Sequence, residues 1–361
     1  MKLTADPFTV QKRFPLTISR GTTHATTNLW IKIEDEGLTG WGEAVPFSIG
    51  EGVKQSTEAL QGELKTAIPL LKELSPLARS RIQAQLKTAK MSSAIRSAID
   101  IACYDWLGKR AGLPVWQILG LDQEQTVPLS VTIGIGSPEA GKQRLENWQH
   151  LTGAQRIKVK LGSPEGLEAD QRLFQALYET AGKAEFTIDA NGGWTLEQAI
   201  TMSHWLGNYP VAYIEQPLSV AADAQLPLLA EASPLPIFAD ESCFTSSDIP
   251  RLAQLKVQGI NIKLMKAGSL TEVLTMVHTA RACGLQVMYG CYSDSAIANT
   301  AMAHLGSLAD YLDLDSHLNL KDDPFGGAVL NNGYLQPNAL PGFGLTYHAT
   351  NSRSASGSFT P

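Results

Sequence analysis

Residues 156–162 read RIKVKLG. On a β-strand, side chains alternate between faces, so Lys158 and Lys160 leave one face while Ile157, Val159 and Leu161 leave the other. Taken alone, two ammonium groups side by side in an apolar run fit a solvated edge strand whose lysines discourage pairing with another chain. The flanking sequence changes that reading. VPLSVTIGI (127–135) precedes the run, and EFTIDANG (185–192), VAYIEQP (211–217), PIFADES (236–242), GINIKLMKAG (259–268), LQVMYGC (285–291) and YLDLDSH (311–317) follow it. Amphipathic stretches such as LEADQRLFQALYETAG (167–182) and SLTEVLTMVHTARACG (269–284) separate these runs. Strand and helix alternating with a period of about 25 residues implies parallel strands, and eight strands over about 200 residues fit a (β/α) barrel better than an open sheet.

Upstream the rhythm differs. Residues 1 to about 50 read as strands, with NLWIKIEDEGLTGWGEA (28–44) alternating about the turn EDEG as a hairpin does. From about residue 54 to 112 the pattern is helical. SSAIRSAIDIACYDWLGKRAG (92–112) places Ile95, Ala98, Ile99, Ala102 and Trp106 near one face, with Gly112 positioned to cap the C-terminus. The expectation is an α/β protein with an α+β capping domain over residues 1–120 and a barrel over residues 121–329. A tail (330–361) would pack near the cap, and its last residues, NSRSASGSFTP (351–361), would be frayed.

The bulk composition narrows the functional classes. Of 361 residues, 43% are apolar and 18% charged, and the net charge is −6 without a long Lys/Arg run, which argues against nucleic acid or an anionic membrane as partner. The opening MKLTADPFTVQKRF lacks the apolar core of a signal peptide, and no apolar stretch is long enough to span a bilayer. Cys103, Cys243, Cys283 and Cys291 form no CxxC pair, so neither a zinc ribbon nor a disulfide framework is indicated. A cytoplasmic protein with reduced thiols is expected.

In a barrel of parallel strands, chemistry sits where the strands end at their C-terminal side. The late polar residues of the runs are Lys160, Asp189, Glu215, Asp240, Lys263 and the pair Asp313 and Asp315. A single carboxylate after a strand is ordinarily a helix cap. Three on consecutive strands converge, and three anions that close repel unless a cation lies between them. All-oxygen ligation suits Mg²⁺. Lys160 and Lys263, four strands apart, then face each other across the mouth as a base for each side of a carbon next to a bound carboxylate. Lys158 supplies a charge that tunes Lys160 and touches the substrate.

These motifs resemble the enolase superfamily, in particular its muconate-lactonizing subgroup, over essentially the whole chain. The matching elements are Lys-x-Lys at 158–160, DANGGW (189–194) with Asp189 and Asn191, EQP with Glu215, ADES with Asp240 and Glu241, and NIKLMKAG with Lys263. The resemblance implies an α+β cap on a modified (β/α)7β barrel, with Mg²⁺ stabilising an enediolate. The Asp-x-Asp of Asp313 and Asp315 resembles the element with which dipeptide epimerases hold the substrate ammonium. Arg20, in LTISRGTT, resembles an arginine that pairs with an acidic substrate side chain in Ala-Glu epimerases. Thr132 would line the pocket, and Asp294 stands where related enzymes often carry glutamate. The expected activity is Mg²⁺-dependent epimerisation of the C-terminal residue of a dipeptide, L-Ala-D/L-Glu first. An o-succinylbenzoate synthase or a muconate-type cycloisomerase is the alternative within the fold, and a non-catalytic binding barrel the alternative outside enzymes. A homo-oligomer stays open. GSPEAGKQ (136–143) nearly spells a phosphate-binding loop but ends in Gln143, where a hydroxyl is needed.

Overall fold

Three antiparallel strands lead the chain, β1 (Lys2–Ile18), β2 (Gly21–Asp35) and β3 (Leu38–Ala44), paired in that order. The EDEG turn closes β2 onto β3 with Glu36 and Gly37 at φ of 48° and 75°, the two-residue geometry whose twist matches the strands. In this computed structural model residues 1–49 and 53–348 are described, and the tail expected to fray lies outside them. A short ladder of β4 (Ser48–Ile49) and β5 (Val53–Lys54) precedes α1 (Thr57–Leu71), α2 (Arg79–Thr88) and α3 (Ser93–Ala111).

Helix α3 buries Ile95, Ala98, Ile99, Ala102 and Trp106 completely, and Gly112 takes the left-handed cap conformation at φ 68°. Its buried surface is wider than the amphipathic pattern, because it lies between the cap sheet and the barrel. Ser97 Oγ donates to Leu264 O at 2.6 Å, and Asp100 accepts from Leu270 N at 2.8 Å. On the other side, Gly40 and Gly42 let β3 approach the helix. A Cβ there would stand 2.0 Å from Ala102 O and 1.9 Å from Ala98 O.

After the single turn α4 (Val115–Ile118) the alternation begins. It runs β6 (Ser130–Ile133), α5 (Pro138–Thr152), β7 (Arg156–Lys160), α6 (Leu167–Ala181), β8 (Glu185–Asp189), α7 (Leu196–Leu206), β9 (Val211–Glu215) and α8 (Leu226–Ala232). It continues through β10 (Ile237–Ala239), α9 (Ile249–Gln254), β11 (Gly259–Lys263), α10 (Leu264–Ala267) and α11 (Leu270–Ala282) to β12 (Gln286–Gly290), α12 (Ala296–Ala303) and β13 (Tyr311–Asp313). The eight strands are parallel and adjacent in chain order. A bridge between Leu129 and Leu312, with Ser130 Oγ donating to Leu312 O at 3.0 Å, draws the first and last strands together. A 3₁₀ turn, Ser316–Asn319, follows β13 in place of an eighth helix, which makes this a (β/α)7β barrel.

Several bonds tie the cap over the barrel mouth. Phe14 N donates to Asn319 Oδ1 and Asn319 Nδ2 to Phe14 O, both at 2.8 Å. Glu43, at the end of β3, accepts from Ser295 N at 3.0 Å, Ser295 Oγ at 2.7 Å and Ala298 N at 3.3 Å, so a cap carboxylate satisfies the free N–H groups opening α12. Further on, Phe343 N donates to Asp105 at 2.9 Å and the Tyr347 ring stacks on Trp41. No helix among the described residues is long and apolar enough to cross a membrane.

Candidate active site

Asp189 and Glu215 are the last residues of adjacent strands and sit in register with each other, as Lys160 does with Asp189. Asp240 follows β10 immediately. One oxygen from each of these three buried carboxylates lies within 4.8 Å of the others. The loops that follow hold them there. Asn191 N donates to Asp189 Oδ1 at 2.9 Å, Asn261 Nδ2 to Glu215 Oε1 at 2.7 Å, and Gln216 Oε1 accepts from Asp240 N at 2.9 Å.

Lysines surround the cluster. Lys160 Nζ contacts Asp189 Oδ2 at one end, and Lys263 Nζ contacts Asp240 Oδ2 at 2.6 Å at the other. Lys158 is enclosed by three carboxylates, with Glu215 Oε2 and Asp313 Oδ2 each at 2.7 Å and Asp189 Oδ2 at 3.2 Å. Burial opposes its charge, yet Asp313, Glu215 and Asp189 outweigh burial and raise its pKa well above the lysine range. Lys263 is raised likewise, burial being overcome chiefly by Asp240. Asp189 is held low because Lys160 and Lys158 overcome burial, and Asp240 because Lys263 and Lys266 do. Glu215 moves the other way, with burial and then the Asp189 charge pushing its carboxyl up.

Opposite the cluster, Thr132 organises the aspartate pair: its N–H donates to Asp315 Oδ2 at 2.7 Å and its hydroxyl to Asp313 Oδ1 at 3.2 Å. Strand β13 ends at Asp313, so Asp315 is not on the strand as its spacing suggested. It adopts helical backbone angles at the start of the 3₁₀ turn. Both aspartates nevertheless line one cavity with Lys160, Thr132 and Tyr292. Burial, then the charge of Asp313, lifts Asp315 to about 6.

Arg20 lies at the tip of the β1–β2 hairpin. Its guanidinium donates to Glu241 Oε1 at 2.8 Å and to Asn191 O at 3.1 Å, so it already pairs with a carboxylate of the protein. Asn191 Nδ2 joins the same Glu241 oxygen at 3.2 Å. Asp294 is buried before α12, its carboxyl lifted to about 7 chiefly by burial.

Three participants escaped the sequence reading. Lys266 is 2% exposed and donates to Asp240 Oδ1, to Asp240 O at 2.7 Å and to Asn261 O at 3.1 Å. Asn261 sits two residues before Lys263 on the same strand face, a spacing that could have revealed it. Tyr292 places its ring 4.7 Å from the Lys263 ammonium and stacks on Phe47 of the cap.

Two family models match the chain. Residues 2–120 match the mandelate racemase / muconate lactonizing enzyme N-terminal domain, and residues 142–351 match the enolase C-terminal domain-like family. The chain belongs to the enolase superfamily. A hydrophobic dipeptide epimerase from a Flavobacteria bacterium is 42% identical to this family member, over 95% of this chain and 97% of that protein. An L-Ala-D/L-Glu epimerase from Bacteroides thetaiotaomicron is 33% identical over 96% and 88% of the two chains. Among solved structures, a dipeptide epimerase from Enterococcus faecalis complexed with Mg and L-Leu-L-Tyr superposes with a TM-score of 0.89 at 29% identity, covering 96% of this chain and 99% of that one.

The donors fit a divalent cation. The cluster offers carboxylate oxygens alone, which suits a hard ion. One oxygen of each acid is braced from behind, by Asn191, Asn261 or Lys266. The remaining oxygens, Asp189 Oδ2, Glu215 Oε2 and Asp240 Oδ2, are those in contact with Lys160, Lys158 and Lys263.

Proposed function

We propose that the chain is a Mg²⁺-dependent dipeptide epimerase that inverts the α-carbon of the C-terminal residue. The observation that carries this reading is the single cavity shared by Lys160, Asp313 and Asp315. Asp189, Glu215 and Asp240 would hold the ion, whose charge offsets the negative charge that builds on a neighbouring carboxylate as the α-proton leaves. Lys160 and Lys263 contact opposite ends of the acid cluster, at Asp189 and Asp240, and in this scheme one removes the proton and the other returns one to the opposite face. Asp313 and Asp315 take the α-ammonium. Lys158, enclosed by acids, keeps their charge balanced. The cycloisomerase and synthase alternatives have substrates without an ammonium group and leave the aspartate pair without a purpose.

At the inverted residue an apolar side chain is the better fit. Arg20 is engaged by Glu241, and Tyr292 with Phe47 forms an aromatic wall beside Lys263. The 42% identical relative named for hydrophobic dipeptides supports the same choice. L-Ala-D/L-Glu is the second reading, because half of the Arg20 side chain is exposed and could turn to a ligand carboxylate.

Incubation of L-Ala-L-Leu and L-Ala-L-Glu in D₂O with Mg²⁺ should put deuterium at the α-carbon of the second residue, faster for Leu. Absence of exchange with every dipeptide tried would overturn the reading. Arg20→Ala that slows L-Ala-L-Glu roughly thirtyfold more than L-Ala-L-Leu, the worth of a charge-assisted pair of about 2 kcal/mol, would favour the acidic choice. Lys160→Ala and Lys263→Ala should each abolish epimerisation while still exchanging the α-proton of one epimer, opposite in the two variants. Loss of all exchange in both, with Mg²⁺ affinity intact, would replace two bases with one.

A further inference from the structure

Strand β1 of the cap sends one side chain into the cavity that the scheme above leaves unused. Lys12 is only 6% exposed, and it lines the cavity together with Asp315, Ser316 and Asn319. Its ammonium makes no hydrogen bond or ion pair with any described residue. The backbone beneath it is fixed. Lys12 bridges to Leu320, and Lys321 N donates to Gln11 O at 2.9 Å.

The Lys12 side chain is largely buried while its ammonium opens on the cavity, and a lysine stem is long enough to fold onto a nearby acid, as Lys158 does onto Asp313. Burial lowers the pKa of Lys12, and although Cys291, Asp315 and Asp294 are near enough to favour its charge, none of them touches it. A structural counter-ion would make that contact. Lys12 instead faces the space beside the aspartate pair.

We propose that Lys12 selects the side chain of the first residue of the dipeptide and that the preferred side chain carries a carboxylate. The inference rests on the dipeptide reading, in which Asp313 and Asp315 take the α-ammonium. A substrate bound that way brings a second positive charge close to Lys12, and a carboxylate on the same residue meets both. An apolar first residue leaves Lys12 desolvated and unpaired, and a basic one is repelled.

The test is deuterium exchange at the second residue with L-Glu-L-Leu, L-Ala-L-Leu and L-Lys-L-Leu, each with Mg²⁺, for wild type, Lys12→Met and Lys12→Glu. Wild type should show kcat/KM for L-Glu-L-Leu at least tenfold above L-Ala-L-Leu, with L-Lys-L-Leu lowest. Lys12→Met should erase the ranking and Lys12→Glu reverse it. Equal turnover of the Glu-first and Ala-first dipeptides by wild type overturns the inference without any variant. A uniform loss across all three substrates in Lys12→Met does the same, since it marks a structural role. Exchange with none of the three removes the dipeptide reading and this inference together, whereas exchange without the ranking removes this inference alone.

Discussion

Asp240 is gripped by two ammonium groups with different freedom. Lys266 spends its donors on Asp240 Oδ1, Asp240 O and Asn261 O, and is fixed. Lys263 has one partner oxygen and an aromatic face. The first is a brace and the second can move. Lys266→Met should therefore weaken Mg²⁺ binding about 10–100-fold by calorimetry, the usual cost of losing a support behind a ligand. Lys263→Met should bind Mg²⁺ at least as tightly as wild type, because it removes a cation from the same oxygens. Equal losses in both would erase the distinction. The contrast also shows what was legible. Lys160, Lys263, Asp189 and Glu215 end strands and Asp240 directly follows one, where alternation assigns each a face. Lys266 sits one helical turn beyond β11, where a lysine reads as surface, and only the return of α10 toward Asp240 buries it. Lys12 was hidden for a similar reason: a lysine on a cap strand looks solvated until Leu320 pairs beside it.

At the scale of elements, the alternation of runs was enough to order eight parallel strands, because each run is short, apolar and bounded by turn residues. Where β13 stops was not legible, since the alternating D-L-D of residues 313–315 continues the strand pattern while the backbone already turns at Asp315. Close contact between elements was equally silent. Gly40 and Gly42 read as ordinary residues of a hairpin, and their requirement appears only when α3 lies on them. Gly42→Ala pushes a methyl against a backbone carbonyl that cannot withdraw, so it should lower unfolding free energy by about 3 kcal/mol or more in urea. A change below about 0.5 kcal/mol would mean that α3 slides readily over the sheet.

Across the whole molecule, Glu43 joins the two domains and makes that joint sensitive to pH. Burial, with Asp294 and Asp323 nearby, pushes its carboxyl from 4.5 up to about 8, against the hydrogen bonds from Ser295 and Asn28. Between those values the folded protein holds a proton that the unfolded chain has released. The associated stability is complete below the unfolded value, declines as pH rises, and is gone above the folded one. Asp294, at about 7, and Asp323, at about 6, act in the same direction. The unfolding free energy should fall from about pH 5 to about pH 8, and Glu43→Gln should make that fall shallower by up to about 1.4 kcal/mol per pH unit. An unchanged slope in chemical denaturation would assign the effect to other groups. The cap contributes one thing more. Lys12 and Arg20 come from a single hairpin near the start of the chain, whereas the two proposed bases, Lys160 and Lys263, end barrel strands far downstream. On that reading, two cationic contacts to substrate side chains and the two bases are written on separate stretches of one polypeptide, so descent or grafting can rewrite the first pair while copying the second unchanged.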